Sequence, residues 1–466
     1  MSTTITPAEA ARQELSGFNG QLIGPRDDEY EQARPVYNAM IDKRPGLIAR
    51  CTSPEDVAAV VGFARDHGIL LAIRGGGHNG GGLGTCAHGV VADLSPLKRI
   101  EVDPQARTVR VGGGATWGEV DAVTGEHGLA TPSGIISTTG VGGLTLGGGL
   151  GHLTRKYGLT IDSLLEAEVV LANGQVVRAS ADEHPDLYWA LRGGGGNFGV
   201  VTSFLFRLHD VGEAIIGGPT FWAVEDGGDV LSSYREFISS APRELNGFFA
   251  YTTVPPGPPY PEELHGRTVA MIVWCYVGSD DDAAKAMAPL MDSVPEPLMH
   301  GVQPMPHAML QGAFDGIYPP GHQWYWRADF VSEIPDEAVE IHQRFGSKLP
   351  TPQSTMHMYP IDGAAHDVDS ADTAWAYRDA RWGSVFAGVD PDPANAPAIS
   401  DWSRSYQEAL HPYSAGGAYV NMMMDEGEDR VRASYRGNYD RLAAIKAEYD
   451  PENVFRVNQN ITPAAG

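Results

Sequence analysis

The sequence predicts an α+β fold with two regions of different construction. Up to about residue 213, short apolar strands alternate with helices, and runs of glycine separate them. From 214 to 417, longer segments of alternating residues indicate an antiparallel sheet covered by helices. Residues 418–466 form a C-terminal segment. A chain of 466 residues is long enough for two or three domains with full hydrophobic cores.

The elements of residues 1–213 follow from capping signals and apolar spacing. Ser53 is a helix N-cap, and the apolar period of 3.6 continues that helix from Val57 to His67. Thr116 opens a second helix in the same way, and residues 186–192 have helical spacing. Apolar runs or strict alternation predict strands at 70–73, 90–93, 108–111 and 167–171.

Residues 214–417 contain seven of the nine tryptophans and little glycine. The alternation in 268–276 and 324–330 predicts strands of one antiparallel sheet, and helices at 281–292 and 335–349 would cover one face of it. Aromatic enrichment suits a pocket for a ring-bearing substrate, although ordinary core packing is the simpler interpretation. A last helix is predicted from Tyr435 to Tyr449, ended by Asp450-Pro451.

Charge and cysteine content exclude several classes of protein. Lys and Arg total 33 against 59 Asp and Glu, a net charge of −26, which argues against nucleic acid or an anionic membrane as a partner. The three cysteines form no disulfide framework, and no Cys or His cluster suggests a metal site. The N-terminus has no signal-peptide pattern and no apolar run reaches membrane-spanning length, so we expect a soluble, cytoplasmic protein.

Glycine is the compositional anomaly, with 57 residues, 22 of them between 74 and 151. Glycines beside strands let main-chain N–H groups approach an anion closely, as in phosphate cradles. Gly194, Gly196 and Gly199 spell GxGxxG, but a helix rather than a strand precedes them and no acidic residue follows at the spacing a ribose requires. No GxxxxGK[ST] is present either. The glycines therefore serve something other than a standard nucleotide fingerprint.

The segment Arg74-Gly-Gly-Gly-His78-Asn79-Gly-Gly is the most informative. A histidine inside a glycine loop has little side-chain packing around it, which favours a functional role. Four further motifs follow in order: Gly140 to Gly151 (GVGGLTLGGGLG), Arg155 to Leu159, Trp189 to Gly199, and Tyr449 to Phe455 with Asn458-Gln459-Asn460-Ile461.

Together these five motifs resemble the FAD-linked oxidases of the berberine bridge enzyme-like group, in the vanillyl-alcohol oxidase superfamily. The resemblance covers nearly the whole chain and is loose only in 214–417. It implies a PCMH-type two-subdomain FAD-binding domain, formed by residues 1–213 and 418–466, flanking a substrate-binding domain at 214–417. It also implies a covalent bond from His78 to the flavin 8α-methyl group, which would raise the flavin's reduction potential.

The resemblance assigns further cofactor-binding residues by position. The loop after the first strand would hold the diphosphate, while the later glycine segments and the C-terminus would enclose the flavin and adenosine. Besides His78, the set is Arg74, Gly75, Gly76, Gly77, Asn79, Gly80, Ser137, Gly140, Gly142, Gly143, Gly147, Gly148, Gly151, Val201, Asn458 and Gln459.

Two departures from the family pattern concern the flavin. Many members attach it a second time through a cysteine, where this chain has Ile136, so we expect a single linkage. Many also have a histidine after GVGG, where this chain has Leu144. With fewer polar contacts, the flavin's reduction potential should be lower than in a doubly linked relative, which favours easily oxidised substrates.

The resemblance also implies the reaction: hydride transfer from an activated C–H bond, a base for the attached O–H or N–H proton, and re-oxidation by O2 to hydrogen peroxide. Thr139, a small residue just before GVGG, should admit oxygen. The Tyr-x-Asn-Tyr signature reads Tyr419-Val-Asn421-Met422, so its last tyrosine is lost. The candidate catalytic residues are Tyr419, Asn421, His366 and Asp367, and His357 and Tyr359 share a strand face that could line the pocket.

Three functions remain open at this stage. The leading one is an oxidase of a small organic molecule, such as an alcohol, an amine or a phenolic compound. The second is a carbohydrate oxidase acting at an anomeric hydroxyl, which the missing second linkage disfavours. The third is a flavin-bearing binding protein without turnover, which the altered signature at Met422 keeps open.

Overall fold

The computed structural model describes residues 6–465 and has the predicted α+β architecture. Its first sheet has the order β1-β2-β4-β3, with β2 and β3 parallel to β4 and β1 antiparallel at the edge. The strands are β1 (Gln21–Ile23), β2 (Leu47–Arg50), β3 (Leu71–Arg74) and β4 (Val90–Asp93), and the helices around them are α1 (Pro7–Glu14), α2 (Tyr30–Ala33) and α3 (Pro54–Asp66). The Ser53 side chain accepts the N–H of Asp56, which begins α3 as predicted.

The second sheet is antiparallel and has the order β5-β6-β10-β8-β9. Its strands are β5 (Ile100–Asp103), β6 (Thr108–Gly112), β8 (Leu164–Val170), β9 (Val176–Ser180) and β10 (Val200–Arg207), and a separate pair joins β7 (Leu129–Ala130) to β11 (His209–Asp210). The helices here are α4 (Trp117–Gly125), α5 (Val141–Leu146), α6 (Thr154–Tyr157) and α7 (Pro185–Leu191). The turns that leave these strands and open these helices carry the glycine runs.

A large antiparallel sheet dominates residues 214–417, and β14 and β17 lie in it as predicted. The strands are β12 (Ile215–Ala223), β13 (Leu245–Thr253), β14 (Thr268–Tyr276), β15 (Met299–His300), β16 (Gln303–Met305), β17 (Gln323–Val331), β18 (Thr355–Pro360) and β19 (Trp382–Asp390). The helices are α8 (Gly227–Phe237), α9 (Asp280–Met291), α10 (His307–Gln311), α11 (Asp336–Gly346) and α12 (Ala396–Leu410).

The two faces of this sheet belong to different cores because side chains alternate along each strand. On β14, Ile272 and Trp274 pack with Leu231 of α8 and Leu290 of α9. The neighbouring residues Met271 and Val273 face the other way and join the core of the second sheet. Helices α8 and α9 therefore cover one face, and the opposite face closes onto residues 100–211.

The chain ends with α13 (Glu428–Tyr435) and α14 (Tyr439–Tyr449), so the single helix predicted from Tyr435 begins four residues later. Arg436 lies between them with φ of 46°, a left-handed conformation that ends α13. None of the helices within residues 6–465 is long and apolar enough to cross a membrane.

Candidate active site

One cavity is lined by residues from all three parts of the chain. Of the forty residues that line it, twelve are glycines, so main chain forms much of its wall. The loops after β3 and around α5 contribute one side, and β17 and β18 of the large sheet contribute the other. Phe455 and residues 457–459, which follow α14, also line the cavity.

The loop after β3 presents an unusual run of free donors. Among the described residues, no main-chain N–H from Gly76 to Gly80 donates a hydrogen bond to a protein atom. Gly76 and Gly140 meet main chain to main chain, since a Cβ on Gly76 would lie 2.5 Å from the Gly140 nitrogen. Consecutive unpaired N–H groups in a glycine loop form an anion-binding concavity. This loop fits a diphosphate.

His78 projects from that loop into the cavity. Its ring stacks on Tyr37, with centroids 4.0 Å apart and planes 19° apart, and its Nε2 lies 3.0 Å from Thr138 Oγ1. The Tyr37 hydroxyl donates to the Tyr318 carbonyl oxygen at 2.6 Å, which fixes the stacking ring. Burial lowers the pKa of His78 to about 4, so the imidazole is neutral at pH 7 and nucleophilic.

The far end of the cavity holds polar atoms that lack protein partners. Tyr435 Oη and Asn458 Oδ1 are buried and make no hydrogen bond, although both residues line the cavity. The Asn458 amide donates to the Gly196 carbonyl oxygen at 3.1 Å, and the Gln459 amide donates to that of Met424 at 3.1 Å. Since buried polar groups are normally satisfied, these two free oxygens fit a polar ligand such as the sugar and base of a nucleotide.

Tyr419 places a tyrosine oxygen in the cavity wall with two donors aimed at it. The Gly149 main-chain N–H donates to Tyr419 Oη at 2.9 Å, and the Asn421 amide donates to it at 2.8 Å. The same amide holds the Leu144 carbonyl oxygen at 3.0 Å. Burial raises the pKa of Tyr419 to about 12, and the two donors oppose that rise because they stabilise the phenolate. The arrangement suits a group that exchanges a proton.

A second polar pair lies on β18. The Tyr359 hydroxyl is 2.6 Å from His357 Nδ1, so the two residues share a strand face as predicted. Tyr359 lines the cavity, whereas His357 lies behind it against Phe248, with ring centroids 5.1 Å apart. Burial lowers the pKa of His357 to about 3 and raises that of Tyr359, so both are neutral at pH 7.

Most of the residues expected at the cofactor line this cavity, and some support it from behind. The lining members are Gly75, Gly76, Gly77, His78, Asn79, Thr139, Gly140, Gly142, Gly143, Val201, Tyr419, Asn421, Asn458 and Gln459. Arg74 lies behind the loop and pairs with Asp93 at 2.8 Å. Ser137 is bound by Asp315, and Gly80 packs against the Trp326 ring. Gly147, Gly148 and Gly151 lie in the turns around Gly149, whose N–H donates to Tyr419. All three are closely packed against neighbouring atoms.

The structure does not bring His366 and Asp367 to this cavity. Their segment is a short 3-10 turn, Gly363–Asp367, and not a strand. Gly363 begins it with φ of +68°, which turns the chain away from β18. His366 Nε2 then bonds the Ala380 carbonyl oxygen at 2.9 Å, and Asp367 forms an exposed ion pair with Arg243.

Several cavity residues had no sequence signal. Tyr37 and Tyr435 lie in unremarkable segments, and only the fold brings them to the glycine loops. Trp324 and Trp326 line the wall from β17, where alternation indicated a shared face but not which one. Thr138 does not line the cavity itself, and its contact with His78 depends on how two separate segments fold together.

Comparison with known proteins agrees with this geometry. Residues 45–180 match the FAD binding domain family, and residues 418–462 match the berberine and berberine-like family. An FAD-linked oxidoreductase of Dictyostelium discoideum is 30% identical over 452 residues, which cover 96% of this chain and 95% of the relative. The chain belongs to the berberine bridge enzyme-like FAD-linked oxidoreductases.

Other members of the family have named substrates. The (R)-6-hydroxynicotine oxidase of Paenarthrobacter nicotinovorans is 30% identical to this oxidoreductase over 470 residues, covering 96% of this chain and 97% of that enzyme. The crystal structure of 6-hydroxy-D-nicotine oxidase from Arthrobacter nicotinovorans superposes with a TM-score of 0.84 at 27% identity, covering all of both chains. The fold of the oxidoreductase is therefore that of an FAD oxidase of this family.

Proposed function

We propose that the protein is an oxidase with FAD attached through His78 alone, acting on a small alcohol, amine or phenolic compound. The observation that carries this proposal is the joint presence of a neutral His78 and a doubly hydrogen-bonded Tyr419 in one cavity walled by glycine main chain. When bound, FAD supplies the redox chemistry: it is the acceptor for a hydride from a substrate carbon and passes both electrons to O2, which yields hydrogen peroxide.

His78 supplies the attachment point. Its Nε2 is engaged by Thr138 Oγ1, which leaves the Nδ1 lone pair for the 8α-carbon of the flavin. His78 would hold the flavin through this nitrogen, and the covalent bond would raise the reduction potential of the flavin. The side chain at the family's second attachment position is that of Ile136, which lines the cavity and carries no nucleophile.

Tyr419 is the base we favour for the substrate O–H or N–H proton. The Gly149 N–H and the Asn421 amide hold its oxygen in the cavity wall and stabilise negative charge there. The Tyr359–His357 pair is the alternative, in which the proton moves to Tyr359 while Tyr359 passes its own to His357 Nδ1. Thr139 lines the cavity with a small side chain, in keeping with oxygen access.

We further infer which parts of the chain hold FAD and which part faces the substrate. Residues 1–213 and 418–466 together hold FAD, because the glycine loops and residues 455–459 line one end of the cavity. Residues 214–417 present the substrate-facing wall from β17 and β18. The missing second linkage and Leu144, in place of a histidine, keep the reduction potential of the flavin below that of doubly linked relatives.

The decisive experiment screens peroxide release over alcohols, amines, phenols and sugars. Activity with the first three classes supports the proposal, activity with sugars alone selects a carbohydrate oxidase, and a reducible flavin without turnover selects a binding protein. In parallel, His78→Ala should release all flavin on acid denaturation, whereas the wild type should retain it in the pellet. Flavin that stays attached to the variant would contradict the proposed linkage.

A further inference from the structure

The cavity wall is free of formal charge. Of its forty lining residues, all within the described range, none is Asp, Glu, Lys or Arg. The titratable residues among them are one histidine and four tyrosines: Tyr37, His78, Tyr359, Tyr419 and Tyr435. On the side of β17 and β18, which we propose faces the substrate, the lining residues are Trp324, Trp326 and Tyr359.

The titratable groups do not supply charge near neutral pH either. Burial lowers the pKa of His78 to about 4 and raises the pKa of Tyr419 to about 12. Burial also raises the pKa of Tyr37, Tyr359 and Tyr435. At pH 7 the imidazole is unprotonated and the phenols are protonated, so the wall as a whole is uncharged.

Two of the charged residues near the lining segments, Arg74 and Asp362, are already paired. Arg74 precedes the glycine loop, but its guanidinium binds Asp93 at 2.8 Å. Asp362 follows Tyr359 by three positions, and its carboxylate binds the buried Arg155 at 2.6 Å. Neither is available to turn toward a ligand without leaving a buried partner uncompensated.

The aromatic wall on the substrate side does not form a cage for a cation. Trp324 and Trp326 pack on each other at 62° with centroids 5.6 Å apart, and Tyr37 covers Trp324 at 5.4 Å. Trp324 is 4% exposed and Trp326 is 8% exposed, so neighbouring rings already cover most of their faces. A cation–π site needs an open ring face, which these residues lack.

We propose that the substrate reacts as an uncharged molecule with an aromatic or otherwise apolar body, and that charged congeners are excluded. The inference rests on the proposed oxidase function. A buried charge without a partner costs far more free energy than a neutral group of the same size. An amine substrate therefore binds as its free base, which is also the form that gives up hydride.

The test titrates the purified holoenzyme with matched ring compounds and follows the flavin absorption spectrum. The probes at pH 7 are benzyl alcohol, which is neutral, 4-(hydroxymethyl)benzoate, which is an anion, and 4-(aminomethyl)benzyl alcohol, which is a cation. A second pair consists of neutral 2-naphthylmethanol and its anionic carboxylate derivative. We expect each neutral compound to bind at least about tenfold more tightly than its charged congeners. Equal or tighter binding of either charged form, or no spectral change with any neutral ring, would overturn the inference.

A pair of variants at one cavity position tests whether an added negative charge shifts the binding preference from neutral toward cationic compounds. Met422 lines the cavity, so Met422→Glu places one carboxyl group there, and Met422→Gln is the uncharged control of the same shape. The Glu variant should improve the affinity for the cationic compound relative to benzyl alcohol by at least about fivefold over the Gln variant. If the ratio of the affinities for the cationic compound and benzyl alcohol is the same in both variants, and both retain full flavin content, the uncharged wall does not determine the selectivity.

Peroxide release separates this inference from the oxidase proposal. If neutral rings bind and no substrate yields peroxide, the oxidase proposal fails while the binding preference stands. If peroxide forms but the charged congeners react as well as the neutral ones, the oxidase proposal stands and the inference fails.

Discussion

At the scale of single residues, the proposed reaction depends on two sets of hydrogen bonds, those at Tyr419 and that between Thr138 and His78. Tyr419 Oη accepts hydrogen bonds from Gly149 and from Asn421, so Tyr419→Phe removes the proposed proton acceptor together with both hydrogen bonds. We expect kcat to fall by about 10²- to 10⁴-fold with full flavin content. Wild-type kcat should rise with pH, because the base acts unprotonated and its pKa is about 12, and the variant should lose that rise.

The matched control is Tyr251→Phe. Tyr251 is also buried, but it lies on the helix-covered face of the large sheet, where its hydroxyl binds Gln343. Its variant should keep the wild-type kcat and pH profile. If Tyr419→Phe retains more than half of kcat, the base lies elsewhere, and Tyr359 becomes the first candidate.

The second contact joins Thr138 Oγ1 to His78 Nε2. We expect Thr138→Val to bind FAD but to attach it covalently at least about tenfold more slowly, because the imidazole then loses the hydrogen bond that helps to orient it. Thr138→Ser should restore the rate. The measurement is the acid-stable flavin fraction over time after apoprotein is mixed with FAD. Equal rates in the Val and Ser variants would argue against a positioning role.

The pH dependence of that attachment follows from burial. Because the pKa of His78 is lowered to about 4, its nucleophilic neutral form predominates throughout pH 5.5 to 8. The attachment rate should therefore be flat over this range in the wild type. A decline of about tenfold toward pH 5.5, as an ordinary histidine would give, would show that the ring is not desolvated in this way.

Sequence reasoning located some of these residues and not others for physical reasons. His78 and the loops at 75–77 and 140–143 could be found because glycine runs are a local signal. Tyr37 and Thr138 could not, since their contacts with His78 depend on how separate segments fold together. The expectation for His366 and Asp367 was wrong about their surroundings, because the turn at Gly363 takes them away from the cavity.

At the scale of elements, one buried ion pair fixes the C-terminal segment to the cavity. Lys446 of α14 donates to Asp450 at 2.6 Å, to the Asn197 carbonyl oxygen at 2.6 Å and to that of Phe455 at 2.9 Å. The Asp450 carboxylate in turn accepts the N–H groups of Val454 and Phe455. Both charged residues are fully buried, so the pair connects α14 to the glycine loop before β10.

Lys446→Met should therefore destabilise the protein and loosen its hold on FAD. Removing one partner of a buried pair leaves the other charge uncompensated, a cost of about 3–5 kcal/mol in the free energy of unfolding. Chemical denaturation measures that loss, and in a His78→Ala background the dissociation constant of FAD should rise. Lys285→Met removes an exposed ion pair with Asp282 and should cost under about 1 kcal/mol. Similar losses in both variants would contradict this assignment.

Elements with a strong repeating pattern were predictable within one to three residues. β14 was predicted over its full extent, because its nine residues are almost all apolar and include no glycine or proline. Helix α13 was not predicted, and the break before α14 was missed although Gly437 and Asn438 follow Arg436 there. The order of strands in the large sheet was also beyond sequence reasoning, because pairing depends on contacts between distant segments.

At the scale of the whole molecule, a buried polar group lies where α4 meets α10. Asp121 and His307 approach to 3.8 Å, and both Asp121 oxygens lack a hydrogen-bond partner within the described residues. Burial raises the pKa of Asp121 to about 8 and lowers that of His307 to about 4, so the pair is neutral near pH 7. His152 lies close enough to act on His307 and is neutral for the same reason.

The raised pKa of Asp121 has a stability consequence with a definite sign. The folded state holds this proton more tightly than the unfolded state, so stability falls as pH rises from about 4 to about 8. Asp121→Asn removes that dependence, and its stability relative to wild type should increase by about 1–2 kcal/mol between pH 6.5 and 8.5. Asp66→Asn, at an exposed position, should track the wild type. Parallel pH curves for wild type and Asp121→Asn would refute the assignment.

Because residues 455–459 return to the cavity, the FAD site can be complete only after the C-terminal segment has been synthesised. His78 and Asn458 are about 380 positions apart, so a ribosome adding about 5–20 residues per second exposes the histidine roughly 20–80 seconds before the asparagine exists. A nascent chain therefore carries an incomplete cradle throughout elongation. Capture of the cofactor belongs after synthesis, and cells short of riboflavin should accumulate finished but empty chains.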